Sequence, residues 1–579
     1  MFFRLLWIQA GWIQQDLVRT AVKQRQQSVV IDNGRGDILD RKGFSFTSGS
    51  KTALVIFPFA AWQLSQDNIK QLAEITGVSA EQLSLVQKKS KEPTILRNSA
   101  GETIGLSAKQ ASQIRQLRIP GVLALPIEER YQEGGMAKQV IGYINQNPER
   151  IKSVYLPEWQ KGVMDERTMV GAAGLEKSFD RFLQGIEETS LSYSVDPQGK
   201  PVPGAPLRYH AHSNQLYPLS LLTTLDQDIQ TAMEKTADRT GMKEGAIVVL
   251  DAKTRDILAM VSRPSYNQNR VEVEGGGWQN HAVKQLAPGS VFKTIVAAAA
   301  VGEGLVSPTE EFRCDGEYGK FGFSCWRKSG HGSVTIEEAF SQSCNIAFAE
   351  IAKKVGSKNI EAYAQKLGIG IPAGWSTADW EDMAHFRQID NEESGAVFSP
   401  GVKKDDEGVL IQTSIGQRDV RMSPLQAANM MVTLVQEGHP GEARLVQDIV
   451  YRNGISFYHF PVHNEKPGGI DKVTAYKLMR MMRQVVEEGT GMPLAGLKWD
   501  VAGKSGTAQV SKKGKPLNHQ WFVGVAPVQE PRYAIAVVFE NERTTAHHKA
   551  TQAFAQAVKA LIDLEERFSA PRVSSSSPE

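Results

Sequence analysis

The stretch GAIVVLDAKTRDILAMVSRPSYNQN (Gly245–Asn269) contains two apolar, β-branched runs separated by a short polar segment. The runs are Ala246–Asp251 and Ile257–Ser262, and the polar residues between them fit a turn. Two such runs around a polar turn predict a β-hairpin. From about Leu221 onward, the patterns are longer and stronger than those before it, which places the main structured domain in this half of the chain.

Further elements are predicted on both sides of this hairpin. Asp226 can cap a helix that runs to about Thr240. Near the other end of the chain, Trp521–Ala526 and Tyr533–Glu540 predict a second strand pair. An apolar periodicity of helical type follows from about Ala550 to Glu565. This half is therefore predicted to mix strands and helices.

The first half, from about Gln24 to Leu216, has shorter and more mixed segments, and no internal repeat is found. A strand is predicted over Thr52–Phe59, and His210–Pro218 is a polar, proline-bounded linker candidate. Helices are predicted over Trp62–Thr76, Ala80–Lys88 and Ala108–Leu117, with glycine-marked turns at Gly34–Gly36, Gly134–Gly135 and Gly171–Gly174.

Composition excludes several classes of protein. At ~150 residues per domain, 579 residues predict two to four folded domains. The apolar share of 41% and charged share of 22% are those of a folded protein rather than a disordered one. The net charge of +2 argues against a nucleic-acid binder. Three cysteines without a C-x-x-C pair predict neither a disulfide scaffold nor a zinc site.

The two ends of the chain differ from the rest. Met1–Ile13 is mostly apolar but contains Arg4, and it is far shorter than the ~20 apolar residues that cross a bilayer. It fits either an amphipathic helix packed on the domain or the outer end of a membrane anchor that begins upstream. The tail Val573–Glu579 has too little apolar content to fold.

The first chemical motif is Ser290-Val-Phe-Lys293, which follows a Pro-Gly turn and precedes the apolar run Ile295–Val301. Ser290 is therefore predicted at a helix N-terminus, with Lys293 one turn on and on the same face. A serine needs a base to become a nucleophile, and a lysine can serve if burial lowers its pKa by roughly 3 units. Alone, so short a pattern more often marks a helix cap with a surface lysine.

The second motif is Ser343-Cys344-Asn345, within a helix-like stretch over Val334–Val355. Ser343 and Asn345 could offer a hydroxyl and an amide to one pocket. Residues two apart do not share a face of a regular helix, so this use requires a turn between two helices. Ser-x-Asn alone carries no information, because it arises by chance in most chains of this length.

The third motif is Lys504-Ser505-Gly506-Thr507. A phosphate loop would need a glycine with four residues between it and Gly503-Lys504, but six residues separate the nearest upstream glycine, Gly496, from Gly503. As an edge strand, the segment could receive a carboxylate through the Lys504 amine and the hydroxyls of Ser505 and Thr507. Gly506 would let a substrate backbone approach closely.

The three motifs in this order are the signature of active-site serine enzymes that recognise penicillin. There is no G-x-S-x-G or H-E-x-x-H motif for other hydrolases, and the eleven histidines are scattered. Further stretches resemble the transpeptidase domain of penicillin-binding proteins: the opening hairpin, CWRKSGHG (Cys325–Gly332), SIGQ…SPLQAA (Ser414–Ala428), VVEEGTG (Val485–Gly491) and HQWFVGVAP (His519–Pro527).

The first half resembles the pedestal, or dimerisation, domain of class B penicillin-binding proteins. The stretches that carry this resemblance are GRGDILDRKG (Gly34–Gly43), ERYQEGGMAKQVIGYI (Glu129–Ile144) and GAAGLEKSFDRFLQG (Gly171–Gly185). The resemblance covers about Gln24 to Glu565, without a glycosyltransferase region. Among class B proteins, the chain is most similar to minor types of spore-forming Gram-positive bacteria.

The resemblance implies an α+β fold: a penicillin-recognising serine transpeptidase fold, with an antiparallel sheet flanked by helices and an all-helical subdomain, behind an elongated pedestal. The implied domains are a juxtamembrane segment (1–23), the pedestal (24–215), the transpeptidase domain (216–566) and a disordered tail (567–579). The implied location is the outer face of the cytoplasmic membrane, with a single N-terminal anchor largely missing from this chain.

The resemblance also implies a D-alanyl-D-alanine transpeptidase that cross-links peptidoglycan stem peptides and is acylated by β-lactams. It needs no cofactor or metal and binds no nucleic acid, and a membrane glycan polymerase is the expected partner. Ser290 would be the nucleophile and Lys293 its base, with Ser343 relaying a proton to or from the leaving amine. Substrate would be bound by Asn345, Lys504, Ser505, Gly506 and Thr507, and the oxyanion by the amides of Ser290 and Thr507.

Two features depart from the family pattern, and other functions stay open. The segment Arg418-Asp419-Val420 is bulkier and more charged than is usual after SIGQ, and the expected anchor is missing. A D,D-carboxypeptidase differs only in its acceptor. A β-lactamase of penicillinase type is disfavoured because no E-x-x-L-N lies between Asn345 and Lys504. A silent wall scaffold would have lost Ser290 or Lys293, and both are present.

The cysteines allow two pairings besides three buried thiols. In an oxidising compartment, an odd number leaves at least one thiol unpaired within the chain. Cys325–Cys344 is the favoured pair and Cys314–Cys325 the alternative, while free thiols are favoured over both. A Cys325–Cys344 bond would pin the loop after Cys325 beside Ser343 and Asn345, and so could make activity depend on redox state.

Overall fold

The structure is a computed structural model that describes residues 26–58, 64–89, 92–98, 101–132, 134–185, 188–196, 202, 205–211, 214–544 and 547–569. Three predictions fall outside these residues: the apolar start Met1–Ile13 with the 1–23 segment, the beginning of the helix predicted from Trp62, and the tail Val573–Glu579. Among the described residues, we find no helix with the length and apolar character needed to span a bilayer.

The first half of the chain is built from short strands and helices. Its strands are β1 Gln26–Asp32, β2 Ile38–Leu39, β3 Gly49–Ile56, β4 Thr94–Ile95, β5 Val122–Glu129, β6 Tyr143–Gln146, β7 Met169–Ala173, β8 Thr189–Ser194 and β9 Arg208–His210. Its helices are α1 Gln66–Thr76, α2 Ala80–Lys89, α3 Ala108–Leu117, α4 Lys138–Ile141, α5 Pro148–Val154, α6 Leu156–Gln160, α7 Gly174–Ser178 and α8 Asp180–Leu183.

The second half has longer elements. Its strands are β10 Ser220–Thr223, β11 Gly245–Asp251, β12 Ile257–Arg263, β13 Phe312–Cys314, β14 Gly332–Val334, β15 Asp379–Trp380, β16 Met383–Ala384, β17 Val446–Val450, β18 Ser456–His459, β19 Ala502–Lys512, β20 Lys515–Ala526 and β21 Tyr533–Arg543. Its helices are α9 Gln227–Arg239, α10 Lys293–Gly302, α11 Ile336–Ser341, α12 Asn345–Lys366, α13 Glu407–Ser414, α14 Pro424–Val435, α15 Lys472–Glu487 and α16 Lys549–Ser569. Short 3-10 helices occur at Val273–Gly275, His281–Val283, Gly289–Phe292 and Met492–Leu494.

A five-stranded antiparallel sheet, ordered β12-β11-β21-β20-β19, is the centre of the second half. Strands β11 and β12 are buried along almost their whole length, because helices cover both faces of the sheet there. Helices α9 and α16 pack on one face, and α14 packs on the other. Helix α12 packs against both α10 and α13. The predicted α+β architecture with an antiparallel sheet is confirmed.

Most of the predicted helices and strands are present. The observed ends of a strand differ from the predicted ends where pairing with a neighbouring strand extends or shortens it. Helix α3 has the predicted bounds, and Asp226 caps α9 as expected. Strand β3 spans Gly49–Ile56 rather than Thr52–Phe59, because its eight residues all pair with β5. Strand β20 begins six residues before the predicted Trp521, because its polar first half pairs with the end of β19.

The predicted glycine turn at Gly171–Gly174 is wrong, because β7 runs to Ala173 and α7 begins at Gly174. A Cβ atom on Gly171 would lie 1.8 Å from the Glu176 carbonyl oxygen. Gly171 therefore allows close packing of strand and helix rather than a change of chain direction.

The three stretches that resemble a pedestal domain meet at one buried carboxylate. Glu176 accepts hydrogen bonds from Nε of Arg35 and Nε of Arg130, each at 2.7 Å, and from the Tyr131 hydroxyl at 2.9 Å. Burial alone would raise the pKa of Glu176, but Arg130 and Arg35 outweigh it and lower this pKa to about 2. The paired charge ties the beginning, middle and end of the first half together.

The two halves of the chain are also connected by hydrogen bonds between strands. Strand β2 of the first half pairs in parallel with β10 of the second, in a sheet ordered β18-β17-β10-β2. Lys177 also forms an ion pair with Asp390 at 2.8 Å. No described residue of the first half is among those that line the cavity described next.

Candidate active site

Ser290 lies in a short 3-10 helix, Gly289–Phe292, that leads directly into α10. The turn is held from two sides: Nε1 of Trp521 donates to the Ala287 carbonyl at 3.0 Å, and the Gly289 amide donates to the Gly416 carbonyl at 3.0 Å. Gly289 has φ +55°, and a Cβ there would lie 2.3 Å from the Thr507 carbonyl oxygen. Glycine therefore allows the turn to lie against β19.

Lys293 is fully buried beneath this turn. Its Nζ lies 2.8 Å from the Ser343 carbonyl oxygen, 2.8 Å from Oδ1 of Asn345 and 3.3 Å from the Ser343 hydroxyl. Burial lowers the pKa of Lys293 to about 8, although nearby cysteine thiols act in the opposite direction. A neutral amine has two N–H groups, and the two oxygen acceptors at 2.8 Å can take both. Its lone pair is then free to accept a proton.

Ser343 and Asn345 lie on a turn between two helices, as this use of the motif required. Helix α11 ends at Ser341, α12 begins at Asn345, and Ser343 has φ +55°. A left-handed conformation is uncommon for serine and turns its side chain out of the helical path. Both side chains consequently reach Lys293, which joins the first and second motifs in space.

The third motif lies on β19, at the edge of the central sheet. Side chains alternate along a strand, and Ser505 and Thr507 line the cavity while Lys504 is fully buried. Burial lowers the pKa of Lys504 well below its ordinary range, and the positive charge of Lys293 adds to the effect. A bound carboxylate would oppose both effects and favour the charged amine.

Gly506 has a packing role in addition to the one expected of it. A Cβ atom at this position would lie 2.6 Å from the Pro288 carbonyl oxygen and 2.9 Å from a methyl group of Val291. The glycine lets the edge strand and the Ser290 turn approach each other.

The three motifs surround one open cavity of about 720 Å³. Six of the eight residues expected at the site line it: Ser290, Ser343, Asn345, Ser505, Gly506 and Thr507. The other two, Lys293 and Lys504, are fully buried below that lining. The cavity thus presents hydroxyl and amide groups at its surface, with two amines held out of water beneath them.

Two lining residues, Thr490 and His548, contact the third motif although the sequence analysis assigned them no role at the site. The Thr490 hydroxyl lies 2.7 Å from the Ser505 hydroxyl, and His548 Nε2 lies 3.1 Å from the Gly506 carbonyl oxygen. A carbonyl only accepts, so Nε2 of His548 carries the hydrogen, and Nδ1 accepts from the Thr551 hydroxyl at 2.8 Å. Burial lowers the pKa of His548, which agrees with a neutral ring. Thr490 belongs to the stretch VVEEGTG (Val485–Gly491) that carries the family resemblance, whereas no sequence pattern linked His548 to the motifs.

Cationic side chains stand at the cavity rim. Arg418 lines the cavity from a left-handed backbone position (φ +58°), and Lys328 lines it from the loop after Cys325. Among the described lining residues there is no aspartate or glutamate. In the segment that departs from the family pattern, Nε of Arg418 lies 3.1 Å from Oδ2 of Asp419, so the neighbouring carboxylate offsets the charge of this arginine.

Two groups of described residues could hold a metal ion. One is Glu244, His281 and Glu540, whose charges are already partnered: His281 Nδ1 lies 2.6 Å from Glu540, and Lys512 pairs with Glu244 at 2.7 Å. The other combines Cys314, Cys325, His331 and Cys344, and the three cysteines are free, buried thiols in this structure.

The arrangement is suited to acyl transfer without a metal. Ser290 can act as the nucleophile, and the buried amine of Lys293, one turn further along the chain, has a lone pair that can accept its proton. The hydroxyls of Ser505 and Thr507 and the amine of Lys504 can bind an anionic end of the substrate. The edge strand offers its backbone along the cavity for pairing with an extended peptide.

Comparisons with known proteins agree with this geometry. The family model of the penicillin binding protein transpeptidase domain matches residues 245–559. The family model of the penicillin-binding protein dimerisation domain matches residues 30–206.

Relatives and solved structures extend the similarity over most of the chain. The peptidoglycan D,D-transpeptidase MrdA of Acinetobacter baumannii is 27% identical, over 90% of this chain and 79% of the relative. Stage V sporulation protein D of Bacillus subtilis is 25% identical, over 94% of this chain and 80% of the relative. A chain from a structure titled "Structural coordination of polymerization and crosslinking by a peptidoglycan synthase complex" aligns with a TM-score of 0.69 at 23% identity, over 96% of both chains. The last likeness concerns the fold alone.

Proposed function

This chain belongs to the family of penicillin-binding proteins with a transpeptidase domain, and from that membership we propose how its site carries out the reaction. It is a class B enzyme, a peptidoglycan D,D-transpeptidase that cross-links stem peptides. The observation that carries the assignment of residues is the meeting of three sequence motifs around one cavity, with Lys293 in contact with Ser343 and Asn345.

The first half of the proposed reaction forms an acyl-enzyme. Ser290 Oγ attacks the carbonyl carbon of the penultimate D-alanine while its proton passes to the lone pair of Lys293. The tetrahedral intermediate collapses, the bond to the terminal D-alanine breaks, and its amine takes a proton through Ser343. The 2.8 Å bonds from Lys293 to Ser343 and Asn345 hold the amine in place for this exchange.

The second half transfers the acyl group to an acceptor amine. That amine gives up a proton along the same path, attacks the ester carbonyl and restores Ser290. The backbone amides of Ser290 and Thr507 stabilise the oxyanion in both halves, each worth roughly 3 kcal/mol of barrier. Lys504, Ser505 and Thr507 bind the terminal carboxylate, Asn345 binds the substrate amide, and Gly506 allows the peptide to lie along β19.

The proposed organisation and setting follow the sequence prediction. The pedestal domain would span residues 24–215 and the transpeptidase domain 216–566, with 1–23 next to the membrane and 567–579 as a tail. The enzyme would act on the outer face of the cytoplasmic membrane beside a glycan polymerase. Support for that partner comes from the fold likeness to a chain of a peptidoglycan synthase complex.

Labelling and product analysis test the proposal together. The purified full chain should react covalently with a fluorescent penicillin, and digestion should locate the label on Ser290. Incubation with a pentapeptide donor and an amine acceptor should yield the cross-linked product and free D-alanine. Release of D-alanine with the tetrapeptide acid alone would assign a carboxypeptidase instead. Fast turnover of the penicillin would assign a β-lactamase, and no reaction with either compound would assign a scaffold.

A further inference from the structure

Thr490 connects two of the three motifs that surround the cavity. Its backbone amide donates to the carbonyl oxygen of Ser341 at 3.2 Å, at the end of α11 and two residues before Ser343. Its hydroxyl lies 2.7 Å from the hydroxyl of Ser505 on β19. One residue therefore contacts both the helix that leads into the Ser343 turn and the strand that carries the proposed carboxylate receptor.

The backbone on either side of Thr490 fixes its position. A Cβ atom on Gly489 would lie 2.2 Å from the Ser341 carbonyl oxygen, so glycine allows this close approach to α11. The Gly491 amide donates to the Val485 carbonyl at 2.8 Å, in the last turn of α15. The side chain of Thr490 is thus positioned by contacts with α11, α15 and β19.

The contact between Thr490 and Ser505 joins two hydroxyl groups. Each hydroxyl has one hydrogen to donate and lone pairs to accept with, and 2.7 Å is an ordinary O–H···O distance. An ionised carboxylate can only accept. When Ser505 donates its single hydrogen to a carboxylate, it has none left for Thr490, so Thr490 must be the donor in the bond between them.

This order of donors strengthens the contact with a carboxylate. A hydroxyl that accepts a hydrogen bond is polarised and becomes a better donor, and such bonds are stronger where water is excluded. Ser505 is only 9% exposed, so water has little access to take the place of Thr490. A carboxamide gains less, because its carbonyl oxygen is uncharged and bonds to charged acceptors are the stronger ones.

We propose that Thr490 is a positioning residue for the anionic end of the donor peptide. Its hydroxyl donates to Ser505, directs the Ser505 hydrogen towards the carboxylate, and so contributes to the preference of the site for a charged over an uncharged end. This role rests on the part of the proposed function in which Ser505 binds the terminal carboxylate. Thr490 also lines the cavity, so the experiment has to separate action through Ser505 from direct contact with the substrate.

The test compares two donors with the purified full chain and an amine acceptor: a pentapeptide that ends in D-alanyl-D-alanine and the same peptide with a C-terminal carboxamide. The kcat/KM for each donor is measured from release of its terminal residue. Thr490→Val removes the hydroxyl at nearly constant size, and it should lower kcat/KM about 10-fold for the carboxylate and less than about 3-fold for the carboxamide. Thr490→Ser keeps the hydroxyl and should stay within about 3-fold of the unaltered chain for both.

Two further variants separate this role from a general structural effect. Thr236→Val is the matched control, because it removes the hydroxyl of a buried threonine on α9 that donates to the Ala232 carbonyl, outside the cavity lining. It should leave kcat/KM unchanged for both donors. In a Ser505→Ala background, Thr490→Val should cost less than about 2-fold more, because its partner is already absent. A second loss of about 10-fold there would overturn action through Ser505.

Binding without turnover supplies a second readout. In the Ser290→Ala chain, NMR titration gives the Kd of both peptides, and adding Thr490→Val should raise the Kd of the carboxylate peptide about 10-fold and leave that of the carboxamide unchanged. If the unaltered chain turns over neither donor while this shift occurs, the catalytic proposal fails and the role of Thr490 stands. If the unaltered chain is active and Thr490→Val keeps its full preference for the carboxylate, the role of Thr490 is overturned and the catalytic proposal stands.

Discussion

The acylation rate should rise with pH as Lys293 loses its proton. Burial lowers the pKa of Lys293 from 10.5 to about 8. A lysine accepts the Ser290 proton only when neutral, and its neutral fraction at this pKa is about 9% at pH 7 and about 91% at pH 9. We therefore expect a rise of about 10-fold between these pH values, followed by a plateau. A lysine with pKa 10.5 would still be rising steeply at pH 9.

The measurement is the second-order rate constant for acylation by a fluorescent penicillin at pH 6.5–9.5 and constant ionic strength. Lys293→Arg is the matched control, because arginine keeps a positive charge but does not deprotonate in this range. The acylation rate constant of Lys293→Arg should be lower by about 100-fold or more, and it should not rise with pH around pH 8. Lys293→Ala should be slowed by orders of magnitude, with a residual rate that follows hydroxide. A wild-type rate constant that is flat with pH, or normal acylation of Lys293→Ala at neutral pH, would refute Lys293 as the base.

Three further predictions concern single substitutions. Ser290→Ala should abolish covalent penicillin labelling without changing the unfolding temperature, and labelling at the wild-type rate would remove the proposed nucleophile. Lys504→Ala should weaken reaction with carboxylate-bearing donors more than with their amidated analogues, since the lost charge binds the carboxylate; equal losses measured on both would indicate a structural role. Gly289→Ala should slow acylation by on the order of 100-fold, because its Cβ would lie 2.3 Å from the Thr507 carbonyl oxygen. Gly514→Ala is the control, with φ +74° but open space around it, and an equal loss of activity there would contradict the packing argument.

The fold was predictable from sequence where local patterns and pairing agree. The hairpin of β11 and β12 was predicted to within one residue at each end, because two β-branched runs around a polar turn leave few alternatives. The polar half of β20 was missed, because its strand conformation comes from pairing with β19 rather than from its own residues. The turn predicted at Gly171 failed for a related reason, since glycine there serves contact between elements.

The residues of the candidate site were likewise predictable only where a local sequence pattern marks them. The order Ser290–Lys293, Ser343–Asn345 and Lys504–Thr507 was readable in the chain, and so was the need for a turn at Ser343. The involvement of His548 was not readable, because a histidine 42 residues from Gly506 gives no local signal.

What the sequence alone determined is the local chemistry: which residues can act as nucleophile, base and carboxylate receptor, and which helices and strands carry them. The tertiary structure decided which of these groups share a low-dielectric environment. Burial gives Lys293 a pKa of about 8, and folding gathers three cysteines and His331 from a span without a recognisable metal motif. Both outcomes depend on distances and desolvation set by packing between distant segments, and neither quantity is encoded in residue spacing along the chain.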